Sequence, residues 1–360
     1  MVEAAVALII AFISSLALTP WVRKRAFSWG AVDKPDLRKV HKEPMPRIGG
    51  LAVYLAFVLA VVATQDLNGS IGGLLVGCTL VVVLGIVDDI KELPAKVKLL
   101  GQITAAGSVI PFGVVIDYVT NPLSGEMMML GWMAYPITIF WLVAVTNAIN
   151  LIDGLDGLAG GVSCIAALTL AAVAFTQWYL FGVSGMTGVV ILALILAAAV
   201  LGFLKYNFHP AKIFLGDTGS MFLGFTLGAM SIMSFTKSAT AISVFIPLVV
   251  LGLPLLDTFF AIVRRYHCQR PIFQPDKEHL HHQLMAMGLT HRQTVLAIYA
   301  VSSILGMSAV VLNVVSTDRA AVILVILSAV VIWLANRVGV IGGSRVLPVE
   351  NSEQSQSIDA

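Results

Sequence analysis

Long apolar runs leave this chain few ways to fold. They recur near residues 3–20, 49–64, 71–87, 99–116, 132–150, 158–176, 186–204, 217–235, 240–263, 294–315 and 319–336. A run of about 20 apolar residues, rising 1.5 Å per residue, crosses the hydrocarbon core of a bilayer. Within that core only helices and closed barrels satisfy their backbone groups. Eleven such runs fit within 360 residues and predict an all-α polytopic membrane protein with about 11 transmembrane helices. Composition agrees: 58% of residues are hydrophobic and 12% charged, against about 25% charged in soluble domains. Disordered, collagenous and disulfide-stapled classes are excluded.

The N-terminal MVEAAVALIIAFISSLALTPW lacks a basic segment before its apolar stretch and a small-residue cleavage site, so it reads as a retained first span. Residues 1–342 read as one integral-membrane unit with polar loops at 21–48, 88–98, 147–161, 205–220 and 264–293. Residues 343–360 form a polar tail expected to be disordered. Cys78, Cys164 and Cys268 have neither the count nor the spacing of a disulfide or zinc framework and read as structural thiols.

The net charge is +2, yet the charges are sharply sorted. Of 22 Lys and Arg residues, all but Lys237 and Arg319 fall in loops of one parity or in the tail. Basic loops stay cytoplasmic, which predicts an outside N-terminus, a cytoplasmic C-terminus and an odd number of spans. Topology and anionic lipid account for basic residues such as Arg23, Lys24 and Arg25. They do not account for carboxylates. Asp33, Asp36, Glu43, Asp88, Asp89, Glu92, Asp153, Asp156, Asp217, Asp276 and Glu278 lie on the same side and point to a polar site there.

Four segments carry that site. Asp88-Asp89 ends a span; adjacent carboxylates repel unless compensated. They read either as solvated cap residues or as contacts to Mg²⁺, which takes one or two carboxylates together with phosphate oxygens and water. NAINLIDGLDGLAGG (147–161) places Asn147, Asn150, Asp153 and Asp156 at steps of three, roughly one helical face, with Gly154 and Gly157 allowing a sharp turn or close ligand approach. In YNFHPAKIFLGDTGSMFLG (206–224), Asp217 is either an N-cap or a metal ligand beside amides that meet phosphate. In RRYHCQRPIFQPDKEHLHHQL (264–284), His279, His281 and His282 lack the i,i+4 pairing of a zinc helix and read better as donors to phosphate or sugar alongside Arg264, Arg265, Arg270 and Lys277. His209, His267 and His291 are isolated in sequence and receive no role. Asp257, seven residues before Arg264, is an intramembrane acid that requires an ion pair or a wet cavity, and Pro254 should kink or break its helix.

Together these segments resemble the polyprenyl-phosphate N-acetylhexosamine-1-phosphate transferase family, in its order, from VDKPDLRKVHKEPMPRIGG to HLHH. Leu280 interrupts the histidines and Gln283-Leu284 follows them, a pattern closer to the N-acetylglucosamine branch than to phospho-MurNAc-pentapeptide transferase, the alternative within the family. A polytopic transporter is the alternative from another class; it should carry several mid-span charges and an internal repeat. The resemblance implies a phosphotransferase of EC 2.7.8 type in the bacterial cytoplasmic membrane. Its site would face the cytoplasm, with Mg²⁺ (or Mn²⁺) as cofactor and UDP-GlcNAc and undecaprenyl phosphate as substrates. Membrane lipids are the other implied partner, a homodimer is an option, and no nucleic acid is involved. It implies catalytic roles for Asp88, Asp89, Asp153 and Asp217, metal binding by Asp217 with Asn150 nearby, and substrate contacts from Asn147, Asn150, Asp156, Asn207, Arg264, Arg265, His279, His281 and His282. Lys91 stands two positions after Asp89, out of the family's register, so no lysine role is carried over. The product would begin teichoic acid or surface-polysaccharide synthesis.

Overall fold

The computed structural model describes residues 2–33, 44–121, 126–235, 245–267, 269 and 279–338. Several expectations lie outside these residues: Lys34, Asp36, Arg38, Lys39, Lys42 and Glu43 of the first basic loop, Lys237, Cys268, Arg270, Asp276, Lys277 and Glu278, and the tail. The described chain is helical: α1 (Val2–Trp29), α2 (Gly50–Thr64), α3 (Ser70–Lys91), α4 (Ala95–Ser108), α5 (Ala134–Ile152), α6 (Leu158–Phe181) and α7 (Met186–Asn207). There follow α8 (Gly216–Phe235), α9 (Phe245–Val250), α10 (Gly252–His267), α11 (Leu280–Ala286), α12 (His291–Val314) and α13 (Thr317–Val338). Two short antiparallel ribbons sit in loops: β1 (Val32–Asp33) pairs with β2 (Met45–Pro46), and β3 (Tyr118–Thr120) with β4 (Met127–Met129).

Seven stretches, in α1, α3, α5 with the turn before it, α6, α7, α12 and α13, are long and apolar enough to cross a membrane. The helix α2 is apolar but shorter. The run at 99–116 forms only the 14-residue α4 and a 3-10 turn, Ile110–Phe112, closed by Gly113 at φ 83°. The run at 240–263 is split: α9 ends at Val250 and α10 starts at Gly252. Pro254 explains the break, because its ring excludes the carbonyl four residues back, that of Val250.

The bundle is organised around α8, which packs on α3, α5, α6, α2 and α7. Phe222, Leu223, Phe225, Leu227, Ala229 and Met230 are all buried, as are Thr218, Ser220 and Thr226. Small residues make such close packing possible. Ser220, Gly224 and Gly228 recur every four residues, and a Cβ on Gly224 would lie 2.7 Å from the Thr146 Cα on α5. A Cβ on Gly50 of α2 would lie 1.9 Å from the Gly219 Cα of α8. At the periphery, α1 turns Ala7, Ala11, Ser15, Thr19, Val22 and Ala26 inward and leaves Ile9, Phe12 and Ile13 exposed. On α13, Val322, Val325, Ile326 and Trp333 are exposed. In water such faces would be a liability; they suit lipid.

Candidate active site

The end of α3, the start of α4, the end of α5 and the start of α8 meet in one polar centre. Asp88 and Asp89 occupy the last turn of α3 and are 1% and 4% exposed. Adjacent residues on a helix point about 100° apart, and the two carboxylates do different things. Asp89 reaches the start of α8: Oδ1 accepts from the Asp217 N–H at 2.9 Å, and Oδ2 accepts from the Thr218 N–H at 3.0 Å and the Thr218 hydroxyl at 2.6 Å. A carboxylate there satisfies two of the free amides of the first turn and meets the positive end of the helix dipole. Asp217 is thus not its own helix's cap. The cap is supplied from α3, and Asp217 is left to face the centre.

Asp88 turns the other way. Its Oδ1 accepts from the Leu93 N–H at 2.7 Å, which shapes the turn into α4, and its Oδ2 is paired with Lys98 of α4. Lys98 Nζ also donates to Asp217 Oδ2 at 2.9 Å, so one ammonium bridges two carboxylates from two helices. The other oxygen of Asp217 accepts from Asn150 Nδ2 at 2.7 Å, and that nitrogen also lies 2.8 Å from Ser220 Oγ. Lys98 carried only a topological meaning in the sequence. Its signal was position, four residues past Pro94 on the helix that follows the aspartate pair. Arg47 was missed likewise; its Nε donates to the Asp89 carbonyl at 2.8 Å and its guanidinium pairs with Glu92.

The 147–161 segment divides between the centre and its supports. Asn147 is engaged with Gln102: Nδ2 donates to Gln102 Oε1 at 2.7 Å and to the Val143 carbonyl at 2.8 Å. Asp153 follows the last residue of α5. Burial, together with the carboxylates of Asp217, Asp89 and Asp156, holds it well above the usual carboxylate range. Asp156 accepts from the Ala211 N–H at 3.1 Å and lies 2.7 Å from His209 Nδ1. Asn207, buried at the end of α7, bridges both loops: Oδ1 accepts from the Gly157 N–H at 3.1 Å, and Nδ2 donates to the Ile213 carbonyl at 3.0 Å.

The histidine segment is brought to the same end. His281 is buried over Gly154, where a Cβ would fall 2.5 Å from His281 Nε2. Burial, then its neighbour His282, pushes the His281 imidazole down to about 4. His279 Nδ1 is 2.9 Å from Asp257 Oδ2, while Asp257 Oδ1 accepts from the Leu280 N–H at 2.8 Å. Asp257 on α10 therefore orients the first histidine and anchors the start of α11. His282 lies with its ring 4.2 Å from that of His281. Arg264, buried, and Arg265, half-buried, lie in the last turns of α10.

The donors at the centre are hard oxygens. Asp88 and Asp217 meet at an ammonium, Asn150 reaches Asp217 through Nδ2, and Asp153, whose carboxyl is held toward its neutral form, stands nearby. Such a set suits Mg²⁺ rather than a softer ion.

Comparison with known proteins identifies the family. Residues 71–235, from α3 to the end of α8, match the family described as glycosyl transferase family 4. The chain is 44% identical over 314 residues to a Bacillus subtilis (strain 168) protein named "Probable undecaprenyl-phosphate N-acetylglucosaminyl 1-phosphate transferase", covering 87% of this chain and 86% of that one. It is 36% identical to the decaprenyl-phosphate N-acetylglucosaminephosphotransferase of Mycolicibacterium smegmatis, over 78% of this chain and 75% of that one. It is 30% identical to the undecaprenyl-phosphate alpha-N-acetylglucosaminyl 1-phosphate transferase of Escherichia coli (strain K12), over 79% and 77% of the two chains. With motifs, bundle and relatives in accord, the chain belongs to glycosyl transferase family 4, among its polyprenyl-phosphate N-acetylhexosamine-1-phosphate transferases.

Proposed function

We propose that the protein transfers GlcNAc-1-phosphate from UDP-GlcNAc to undecaprenyl phosphate, giving undecaprenyl-diphospho-GlcNAc and UMP. The observation that carries this reading is the Asp88–Lys98–Asp217 bridge, set among the ends of apolar helices. A polar centre at the ends of apolar helices suits two anionic substrates, one from the cytosol and one whose phosphate sits at the membrane edge. The names of the relatives support the same donor group and lipid class.

A phosphate oxygen of the lipid attacks the β-phosphorus of UDP-GlcNAc. A new P–O bond forms as the bond to the bridging oxygen breaks, and that oxygen leaves on UMP. The second pKa of a phosphate monoester is about 6, so the lipid phosphate is largely dianionic at neutral pH and needs placement more than deprotonation. Asp88 and Lys98 serve that placement, with Lys98 offsetting charge between the substrates. Asp217, with Asn150 beside it, would hold Mg²⁺, which when bound supplies charge neutralisation at the diphosphate. Asp89 holds α8, and so Asp217, in register. Asp156 and Asn207 fix the two loops on the nucleotide side, while His279, His281 and His282 face the diphosphate and sugar with Arg264 and Arg265. Asp153 completes the carboxylate set.

The eleven-span reading, with N-terminus outside and the site facing the cytoplasm of a bacterial cell, rests on the sorting of 20 of the 22 basic residues to one side. A role at the first membrane step of teichoic acid or surface-polysaccharide synthesis is part of the same proposal. Detergent-purified protein should release UMP only when both UDP-GlcNAc and undecaprenyl phosphate are present, and EDTA should stop it. UDP-GalNAc and UDP-MurNAc-pentapeptide as donors would define selectivity. Robust UMP exchange from UDP-GlcNAc without lipid would overturn direct attack in favour of a phosphorylated Asp. Release of no UMP under any condition would reopen the transporter reading.

A further inference from the structure

A second polar cluster joins the loops after α5 and α7 to the start of α12. Asp156, His209 and His291 come from three separate segments, and one ligand atom of each lies within 4.8 Å of the others. In the sequence the two histidines stand 82 residues apart with no motif to link them. In the fold their rings stack, with centroids 4.1 Å apart and planes 20° from parallel. His209 Nδ1 lies 2.7 Å from Asp156 Oδ2, which also accepts from the Ala211 N–H. The Nε2 of His291 is buried and has no hydrogen-bond partner among the described residues.

Three features define what could occupy this place. An orphaned ring nitrogen in a buried position is costly unless something satisfies it. The stacked rings aim their in-plane lone pairs along nearly parallel directions, so an ion is shared once one imidazole turns about its broad χ2 torsion. Two imidazole nitrogens with one carboxylate oxygen form a borderline donor set that Zn²⁺ prefers, unlike the all-oxygen set around Asp217. Three protein ligands also leave a fourth position open, as in zinc sites that exchange water. The His209 side chain is 37% exposed, which gives an ion a way in.

We propose that Asp156, His209 and His291 form a transition-metal site of the Zn²⁺ class, separate from the Asp217 centre. A bound ion ties together the loop after α5, the loop before α8 and the first turn of α12. Arg292 Nη2 already donates to the His209 carbonyl at 3.1 Å and joins two of these segments. The site does not depend on the transferase reading, since its test needs no turnover.

Tag-free protein in detergent, stripped with chelator and titrated with Co²⁺ in a large excess of Mg²⁺ that fills the Asp217 centre, should bind one ion with the visible absorption of a low-coordinate nitrogen–oxygen site, and Zn²⁺ should displace it. His209→Gln and His291→Gln should each weaken binding at least about tenfold, since loss of even an outer-shell partner of a metal ligand costs that much. His282→Ala should leave it unchanged. Absence of a one-to-one Co²⁺ signal would overturn the proposal. So would binding that survives both glutamine variants, or that disappears with His282→Ala. Because the two glutamine substitutions lie on different segments, loss of folding in one leaves the other decisive, and an unchanged gel-filtration profile verifies each.

Discussion

Replacing Asp89 with alanine separates holding the site from doing its chemistry. The carboxylate is 4% exposed and accepts three hydrogen bonds at the start of α8: from the Asp217 N–H, the Thr218 N–H and the Thr218 hydroxyl. Truncation leaves two buried backbone donors without a partner, while the hydroxyl can turn elsewhere. Loss of a helix cap costs about 1 kcal/mol, and a buried unsatisfied donor about 1–3 kcal/mol. Removing one of several crowded carboxylates returns part of this, so a net loss of about 3 kcal/mol is expected. Asp89→Asn keeps one acceptor oxygen but turns an N–H₂ toward a donor, and should recover about half of that loss. The assay is reversible unfolding in mixed micelles, run beside UMP release. Asp89→Ala should be destabilised and its residual activity should fall with the folded fraction. Asp217→Ala should instead abolish UMP release with stability nearly unchanged. An Asp89→Ala protein as stable as the parent, yet inactive, would refute the capping argument and return Asp89 to the chemistry.

His281 gives a pH dependence with a definite sign. Its pKa is depressed from 6.5 to about 4, so the unfolded chain binds the extra proton between those values. Stability should therefore fall as pH drops from 6.5 toward 4, by up to about 3 kcal/mol from this group; His281→Gln should flatten that slope in the same unfolding assay. Asp257→Asn should disturb the orientation of His279 and lower kcat more than it raises KM, while Asp257→Ala should also loosen α11, seen as faster amide exchange at Leu280. Gly154→Ala would set a Cβ 2.5 Å from His281 Nε2 and should cost at least about tenfold in kcat/KM, with far-ultraviolet circular dichroism unchanged. Normal turnover by that variant would mean that His281 lies outside the working site.

Much of this was legible in the chain. Apolar runs specified the helices, because the cost of unpaired backbone in lipid leaves little choice. Pro254 marked the break between α9 and α10 for the same local reason. Asp88, Asn150 and Asp217 were visible as carboxylates and amides at membrane edges, where nothing in packing asks for them. Their partners were not legible. Lys98 looked like any cytoplasmic lysine, Arg47 like any topological arginine, and His209 and His291 like isolated residues. What draws each of them into a polar cluster is a neighbour distant in the chain, such as Asp89 for Arg47, 42 residues away, and Asp217 for Lys98, 119 residues away.

The sequence by itself determined that this is a helical, multi-pass membrane protein with charged motifs at the ends of its apolar runs, since hydropathy and motif spacing are local properties of the chain. Only the tertiary structure decided which of two adjacent aspartates caps α8 and which joins Lys98 and Asp217. That division depends on how α3 meets α8, where glycines allow close approach: a Cβ on Gly85 would fall 2.5 Å from the Thr218 Cα. Two carboxylates one residue apart differ in direction by about 100°, and it is the packing of other helices around them that gives each direction its meaning.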